Sequence, residues 1–121
     1  MIDREMSEEF ARSWIKAWND HSVAELMSHY ADSVEVLAPF MVKTLGCEEG
    51  MIQGKENLRR VFEGAFELYP DLKFELLDVT PGEGSVVINY RGIGGMYTSE
   101  LMTFNADDEI ARSIASYTPG L

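Results

Sequence analysis

Residues 85–117, SVVINYRGIGGMYTSELMTFNADDEIARSIASY, decide the fold class of this chain. They contain three runs rich in β-branched and aromatic residues, separated by residues 92–95 and 105–108, whose composition is typical of turns. A fourth such run, residues 72–79, precedes them across a turn at residues 81–84. Strands joined by short turns pair with their chain neighbours, so the second half of the chain is predicted to form an antiparallel sheet.

The first part of the chain has the periodicity of helices. Four large apolar residues recur every four positions and predict one buried stripe on a helix: Met6, Phe10, Trp14 and Trp18. Ser22 then begins a second helix as its N-cap, with Glu25 in the capping-box position. The buried face of this second helix is predicted to extend from Val23 to Tyr30.

The middle of the chain joins these helices to the sheet. Residues 34–38 are predicted to form a short strand that ends at Pro39, and residues 40–53 an irregular loop with a brief extended piece at 51–53. A third helix follows and ends before Pro70. Helices first and strands last, in one short chain, predict an α+β fold.

Composition and charge limit the number of domains and the kinds of partner that the chain can have. A length of 121 residues suits a single domain spanning residues 1–121. The formal net charge of -11 disfavours nucleic acid and anionic membranes as partners, since both attract clustered Lys and Arg. The lone Cys47 cannot form an internal disulfide, so we expect a cytoplasmic protein. The two histidines and one cysteine lack metal-site spacing, and we expect neither a metal ion nor a cofactor.

A strongly twisted sheet that curls around helices leaves a conical cavity between the two layers. The sequence offers large side chains to line it. These residues are predicted to contact a ligand: Trp14, Trp18, Tyr30, Val36, Ala38, Phe62, Phe66, Met102 and Tyr117. The alternative for each of them is a place in the ordinary core.

The order of elements and three motifs carry a family resemblance. The motifs are WIKAWNDH at 14–21, YAD at 30–32 and IQGKENL at 52–58. Together they resemble the NTF2-like superfamily, and within it the SnoaL-like polyketide cyclase group. The resemblance implies a cone of three N-terminal helices on a curved, mixed, mostly antiparallel sheet that encloses an apolar pocket. It also implies a homodimer through the outer face of the sheet. It implies no single reaction, because the superfamily holds isomerases, cyclases, epoxide hydrolases, dehydratases and non-enzymatic binding or transport proteins.

The ketosteroid isomerases of this superfamily use an Asp base, with a Tyr and a protonated Asp as oxyanion donors. The alignment uses residues 30–32, Pro39 and residues 104–105 as anchors. It places Ala38 at the base, Trp14 at the Tyr donor, Phe62 at its supporting Tyr and Glu100 at the acidic donor. Alanine cannot move a proton, and both tyrosines are replaced. Steroid isomerisation by that mechanism is therefore not expected.

Glu100 is the candidate catalytic residue. Strand alternation places it on one face with Met102 and Phe104, which is the more apolar face and so the one predicted to face the cavity. A carboxyl in that position is desolvated, its pKa is raised, and it suits general acid–base chemistry. The resemblance to SnoaL-like cyclases also implies an acidic acid–base residue in this late part of the sheet. The alternatives are an ion pair with Arg91 or Arg112, or a solvated carboxylate.

The sequence thus predicts a SnoaL-like small-molecule protein with an apolar polyketide-, steroid- or terpenoid-like ligand. If it is an enzyme, proton transfer by Glu100 would serve cyclisation, isomerisation or dehydration. The loss of a base at Ala38 favours a non-catalytic binding module instead, and a protein-interaction domain is a third possibility. Tyr97, Leu101 and Val87 on the outer sheet face are predicted to form the homodimer contact.

Overall fold

The computed structural model describes residues 4–39 and 50–118. Its helices are α1 (Arg4–Asn19), α2 (Val23–Met27) and α3 (Lys55–Leu68). Its strands are β1 (Tyr30–Leu37), β2 (Met51–Gln53), β3 (Glu75–Gly82), β4 (Ser85–Arg91), β5 (Tyr97–Phe104) and β6 (Ile110–Thr118). A 3-10 turn, Ile93–Gly95, joins β4 to β5. Residues 40–49, which include Cys47 and most of the predicted loop, lie outside the described residues.

The six strands form one sheet in the order β2-β1-β6-β5-β4-β3. The β1–β6 pair is parallel, and the other four pairs are antiparallel. The three helices pack on this mixed sheet, which does not close into a barrel. The predicted α+β class, with helices packed on a mixed, mostly antiparallel sheet, is therefore confirmed. No helix within the described ranges is long and apolar enough to cross a membrane.

Two details of the helices differ from the prediction. The buried face of α1 begins at Ser7 and includes Ala11, while Met6 is 53% exposed. A strict four-residue repeat drifts around a helix of 3.6 residues per turn, which puts Met6 about 120° away from Trp18. Tyr30 does not belong to α2 but begins β1, because that helix ends at Met27.

The start of α2 follows the prediction. The Ser22 side chain accepts a hydrogen bond from the backbone N–H of Glu25 at 3.2 Å, which confirms Ser22 as the N-cap. At the other end of the helix, the Ser28 hydroxyl donates to the carbonyl oxygen of Glu25 at 2.6 Å. The chain then enters β1, and the His29 carbonyl accepts from the N–H of Ile110 in β6.

Strand β3 starts later and ends later than predicted. The Asn19 side chain bonds both backbone groups of Phe74, accepting from its N–H at 2.6 Å and donating to its carbonyl at 3.0 Å. These bonds hold Phe74 to α1, so β3 begins only at Glu75. The strand continues through Pro81 because it lies at the edge of the sheet, where a missing N–H is tolerated.

The core lies between the helices and the inner face of the sheet. In β4 the residues Val86, Ile88 and Tyr90 are buried, and the alternate residues are half-buried. In β5 Glu100 is buried with its inner-face neighbours, whereas Leu101 is 38% exposed. The predicted inward orientation of Glu100 is confirmed.

Candidate functional site

The site is built around Glu100 in the middle of β5. Glu100 lies opposite Ile88 of β4 and Ala115 of β6, so Tyr90 and Ser113 are its diagonal neighbours on the inner face. The Tyr90 hydroxyl donates to Glu100 Oε1 at 2.7 Å. The Ser113 hydroxyl donates to Glu100 Oε2. Both carboxylate oxygens are thus fixed by donors from the neighbouring strands.

The Glu100 carboxylate has no cationic partner within the described part of the chain. The side chain is buried, and within the described ranges no Lys, Arg or His nitrogen forms an ion pair with it. Burial raises the pKa of Glu100, while the hydrogen bonds from Ser113 and Tyr90 oppose that rise. The alternative pairing of Glu100 with Arg91 or Arg112 is wrong. Arg91 Nε lies 3.8 Å from Glu75 Oε1, and the Arg112 side chain is exposed.

A buried phenol shares this environment. The Trp14 indole N–H donates to the Tyr30 hydroxyl oxygen at 2.9 Å. Burial and the nearby Glu100 raise the pKa of Tyr30, so its hydroxyl stays protonated across the physiological range. No acceptor for that O–H proton lies among the residues that the structure describes. The Tyr30 hydroxyl is therefore available to donate to a bound molecule.

Glu100 and Tyr30 line the same cavity, whose volume is about 30 Å³. Its wall is mostly apolar. It is formed by Trp18, Tyr30, Val36, Ala38, Ile52, Leu58, Val61, Phe62, Phe74, Tyr90, Gly92, Ile93, Thr98, Glu100 and Tyr117. Such a volume holds about two water molecules. A polyketide-, steroid- or terpenoid-like ligand would therefore occupy this cavity only in part.

The structure brings six of the nine predicted ligand contacts into this wall: Trp18, Tyr30, Val36, Ala38, Phe62 and Tyr117. The other three lie outside it. Trp14 reaches the site only through its hydrogen bond to Tyr30. Phe66 stacks on His21 with ring centroids 4.5 Å apart, and Met102 is fully buried in the core.

Sequence reasoning missed Tyr90 and Ser113, the two hydrogen-bond partners of Glu100. Strand alternation alone identifies faces but not neighbours. The register of the hairpins could have found them. Once the residue that faces Glu100 on a neighbouring strand is known, the residue two positions along that strand lies diagonally opposite Glu100. Tyr90 also continues the inward alternation of Val86 and Ile88.

A second, outer groove adjoins the cavity. Its volume is about 540 Å³, and it is lined by residues 68–73, Glu75 and residues 91–95. Gly92 and Ile93 line both spaces. A Cβ on Gly92 would lie 3.1 Å from Thr98 Oγ1 and 3.2 Å from the Tyr90 ring, so glycine permits the close approach of Tyr90 at this boundary.

The raised pKa of Glu100 predicts a particular pH dependence of stability. The folded state keeps this proton to higher pH than the unfolded chain does. The free energy of unfolding should therefore fall as the pH rises from the ordinary value of 4.5 to the raised one, by about 1.4 kcal/mol per unit of rise. Urea unfolding across this range should show the loss in the wild type and not in Glu100→Gln. The same slope in both proteins would contradict the assignment.

Comparison with known proteins gives the family. A family model for the SnoaL-like domain matches residues 11–113. The chain therefore belongs to the SnoaL-like family. A SnoaL-like protein of unknown function from Burkholderia thailandensis is 35% identical, with a TM-score of 0.90 over 97% of this chain and 98% of that one. Comparison with curated proteins gives no significant match.

More distant structures share the fold. A putative isomerase of the SnoaL-like family from Agrobacterium tumefaciens is 14% identical, with a TM-score of 0.75 over 94% of this chain and 98% of that one. SalBIII, an epoxide hydrolase/cyclase-like enzyme with a role in pyran ring formation in the polyether salinomycin, is 13% identical, with a TM-score of 0.73 over 98% of this chain and 95% of that one. At these identities the likeness is one of fold.

Proposed function

We propose that this protein catalyses proton transfer at a carbon next to the carbonyl group of an apolar small molecule. The observation that carries the proposal is Glu100, a buried carboxyl that has no cationic partner among residues 4–39 and 50–118. It lines a cavity together with the Tyr30 hydroxyl, which can donate its proton. A carboxyl with a raised pKa is suited to general acid–base work near neutral pH.

The two groups have complementary roles. Glu100 takes the proton from the carbon, and Tyr30 donates a hydrogen bond to the carbonyl oxygen, where negative charge develops. The bond from Trp14 to the Tyr30 oxygen polarises this phenol and makes it a better donor. If Glu100 trades this proton for one from solvent before it reprotonates the same carbon, the result is exchange. Delivery of the proton to another carbon gives isomerisation.

The shape of the proposed ligand follows from the inner cavity and the outer groove that adjoins it. The inner cavity of about 30 Å³ suits the carbonyl end of a molecule. The apolar remainder would extend past Gly92 and Ile93 into the outer groove. Cyclisation, isomerisation and dehydration of polyketide-, steroid- or terpenoid-like compounds can all begin with such a proton transfer, and the fold neighbours include proteins described as an isomerase and as cyclase-like.

A non-catalytic binding module is the second candidate. It is favoured by Ala38, which lines the cavity at the position that alignment gives to the isomerase base. Proton NMR of cyclohexanone in D₂O separates the two. An enzyme should accelerate exchange of the protons next to the carbonyl, whereas a binding module should bind the ketone and leave their exchange rate unchanged.

We also propose that two copies of the chain pair through the outer face of the sheet. Val87, Leu101 and Ile114 are directly opposite one another on adjacent strands of that face, and Leu101 is 38% exposed. Sedimentation equilibrium should give twice the 13.6 kDa mass of one chain. Leu101→Glu should give the monomer mass with unchanged circular dichroism, and a monomeric wild type would contradict the proposal.

A further inference from the structure

Trp18 carries a buried hydrogen-bond donor for which the described residues offer no acceptor. Helix α1 bears two tryptophans one turn apart, and both are buried. The indole N–H of Trp14 is satisfied by Tyr30, but the Trp18 Nε1 atom has no partner among the residues that the structure describes. Trp18 is only 3% exposed, so bulk solvent does not readily supply one.

The surroundings of Trp18 limit where an acceptor can come from. Its indole ring packs against the rings of Trp14, Phe62, Phe66 and Phe74, with centroids 4.7 to 6.0 Å apart. These side chains offer no strong acceptor. Trp18 also lines the cavity, together with Tyr30 and Glu100. Buried donors in folded proteins are nearly always satisfied, by protein, water or ligand.

We propose that the Trp18 indole N–H donates to a second oxygen of the bound molecule, and therefore that the substrate class is a neutral compound with two oxygen acceptors, such as a diketone or hydroxyketone. One oxygen is the carbonyl that faces Tyr30, and the other faces Trp18. The described part of the cavity wall contains Glu100 but no Lys, Arg or His, which disfavours an anionic ligand. This inference rests on the proposed function only for the identity of the first oxygen.

The test compares cyclohexane-1,4-dione with cyclohexanone, two neutral rings of similar size with two oxygens and one. The wild type should bind the dione about fivefold more tightly, as expected for one additional hydrogen bond. Trp18→Phe removes the N–H and keeps an aromatic ring, so it should abolish this preference. Trp14→Phe removes the indole N–H that bonds to Tyr30, so it should weaken the binding of both ketones and still keep the preference for the dione.

Indole NMR of the wild type makes the test independent of variant folding. Each of the two tryptophans gives one ¹⁵N–¹H indole signal. The Trp18 signal should move downfield on addition of the dione and much less with cyclohexanone. Equal affinities for the two ketones, binding that leaves the Trp18 signal in place, or no binding of either ketone would overturn the inference. If a trapped water is the true acceptor of the Trp18 N–H, the two ketones should bind with equal affinities.

The failure of this inference and that of the proposed function can be told apart. Glu100→Gln should keep the dione preference and the Trp18 shift, because neither needs proton transfer. Loss of catalysis with the preference intact would leave Trp18 as a ligand donor in a binding protein. Catalysed exchange without the preference for the dione would support Glu100 as the acid–base group and exclude Trp18 as a donor to the ligand.

Discussion

Replacing Glu100 with glutamine is expected to lower the rate of proton exchange next to a ketone carbonyl by about 10²- to 10⁴-fold, the usual contribution of a general acid or base. Glutamine keeps the size of the side chain and can still accept from Tyr90 or Ser113, but it cannot take up a proton. The change should appear in the exchange rate of cyclohexanone in D₂O, with little effect on its dissociation constant.

The matched control is Glu63→Gln. Glu63 lies on the exposed face of α3, so the same chemical change there should leave the exchange rate within about twofold of the wild type. Activity of Glu100→Gln close to that of this control would show that Glu100 is not the acid–base group. The protein would then be better described as a binding module.

Trp14→Ala is expected to reduce the free energy of unfolding by about 3–5 kcal/mol, the range for large aromatic residues removed from a core. Trp14 is fully buried and contacts the rings of Trp18, Phe74 and Tyr90. Its removal leaves a void among these rings and takes the donor away from the Tyr30 hydroxyl. Urea unfolding followed by circular dichroism measures the loss.

Two further variants separate the contribution of the hydrogen bond from that of the packing. Trp14→Phe keeps most of the packing and removes the hydrogen bond, and it should cost about 1–3 kcal/mol. Phe66→Ala should cost less than Trp14→Ala, because Phe66 is half-buried and packs at the edge of the core. A loss below about 1 kcal/mol for Trp14→Ala would mean that this ring does not organise the core as described.

Much of the fold could be predicted because its signals are local. Turn residues separate the strands β3 to β6, and apolar periodicity marks α1 and α3. The limits of β1 could not be predicted in this way. Tyr30 fits the buried face of α2 by spacing, yet the early end of that helix at Met27 puts it in the sheet. Competition between a helix and a strand for one residue depends on tertiary contacts that periodicity does not contain.

The candidate site was only partly predictable. The inward orientation of Glu100 follows from alternation along a single strand. Its partners Tyr90 and Ser113 depend on the register of three strands. The size of the cavity depends on how Phe62, Phe74 and Tyr90 orient their rings. The contrast between a satisfied Trp14 and an unsatisfied Trp18 is likewise set by packing, since the two residues are equivalent in the sequence pattern.

The pKa of Glu100 tests the central claim most directly. Carbon-13 NMR of the side-chain carboxyls, with the Glu100 signal assigned by its absence in Glu100→Gln, follows this group through its titration. Burial of the carboxyl predicts a midpoint above the ordinary value of 4.5. A midpoint at or below that value would contradict the account of Glu100 as a buried acid–base group.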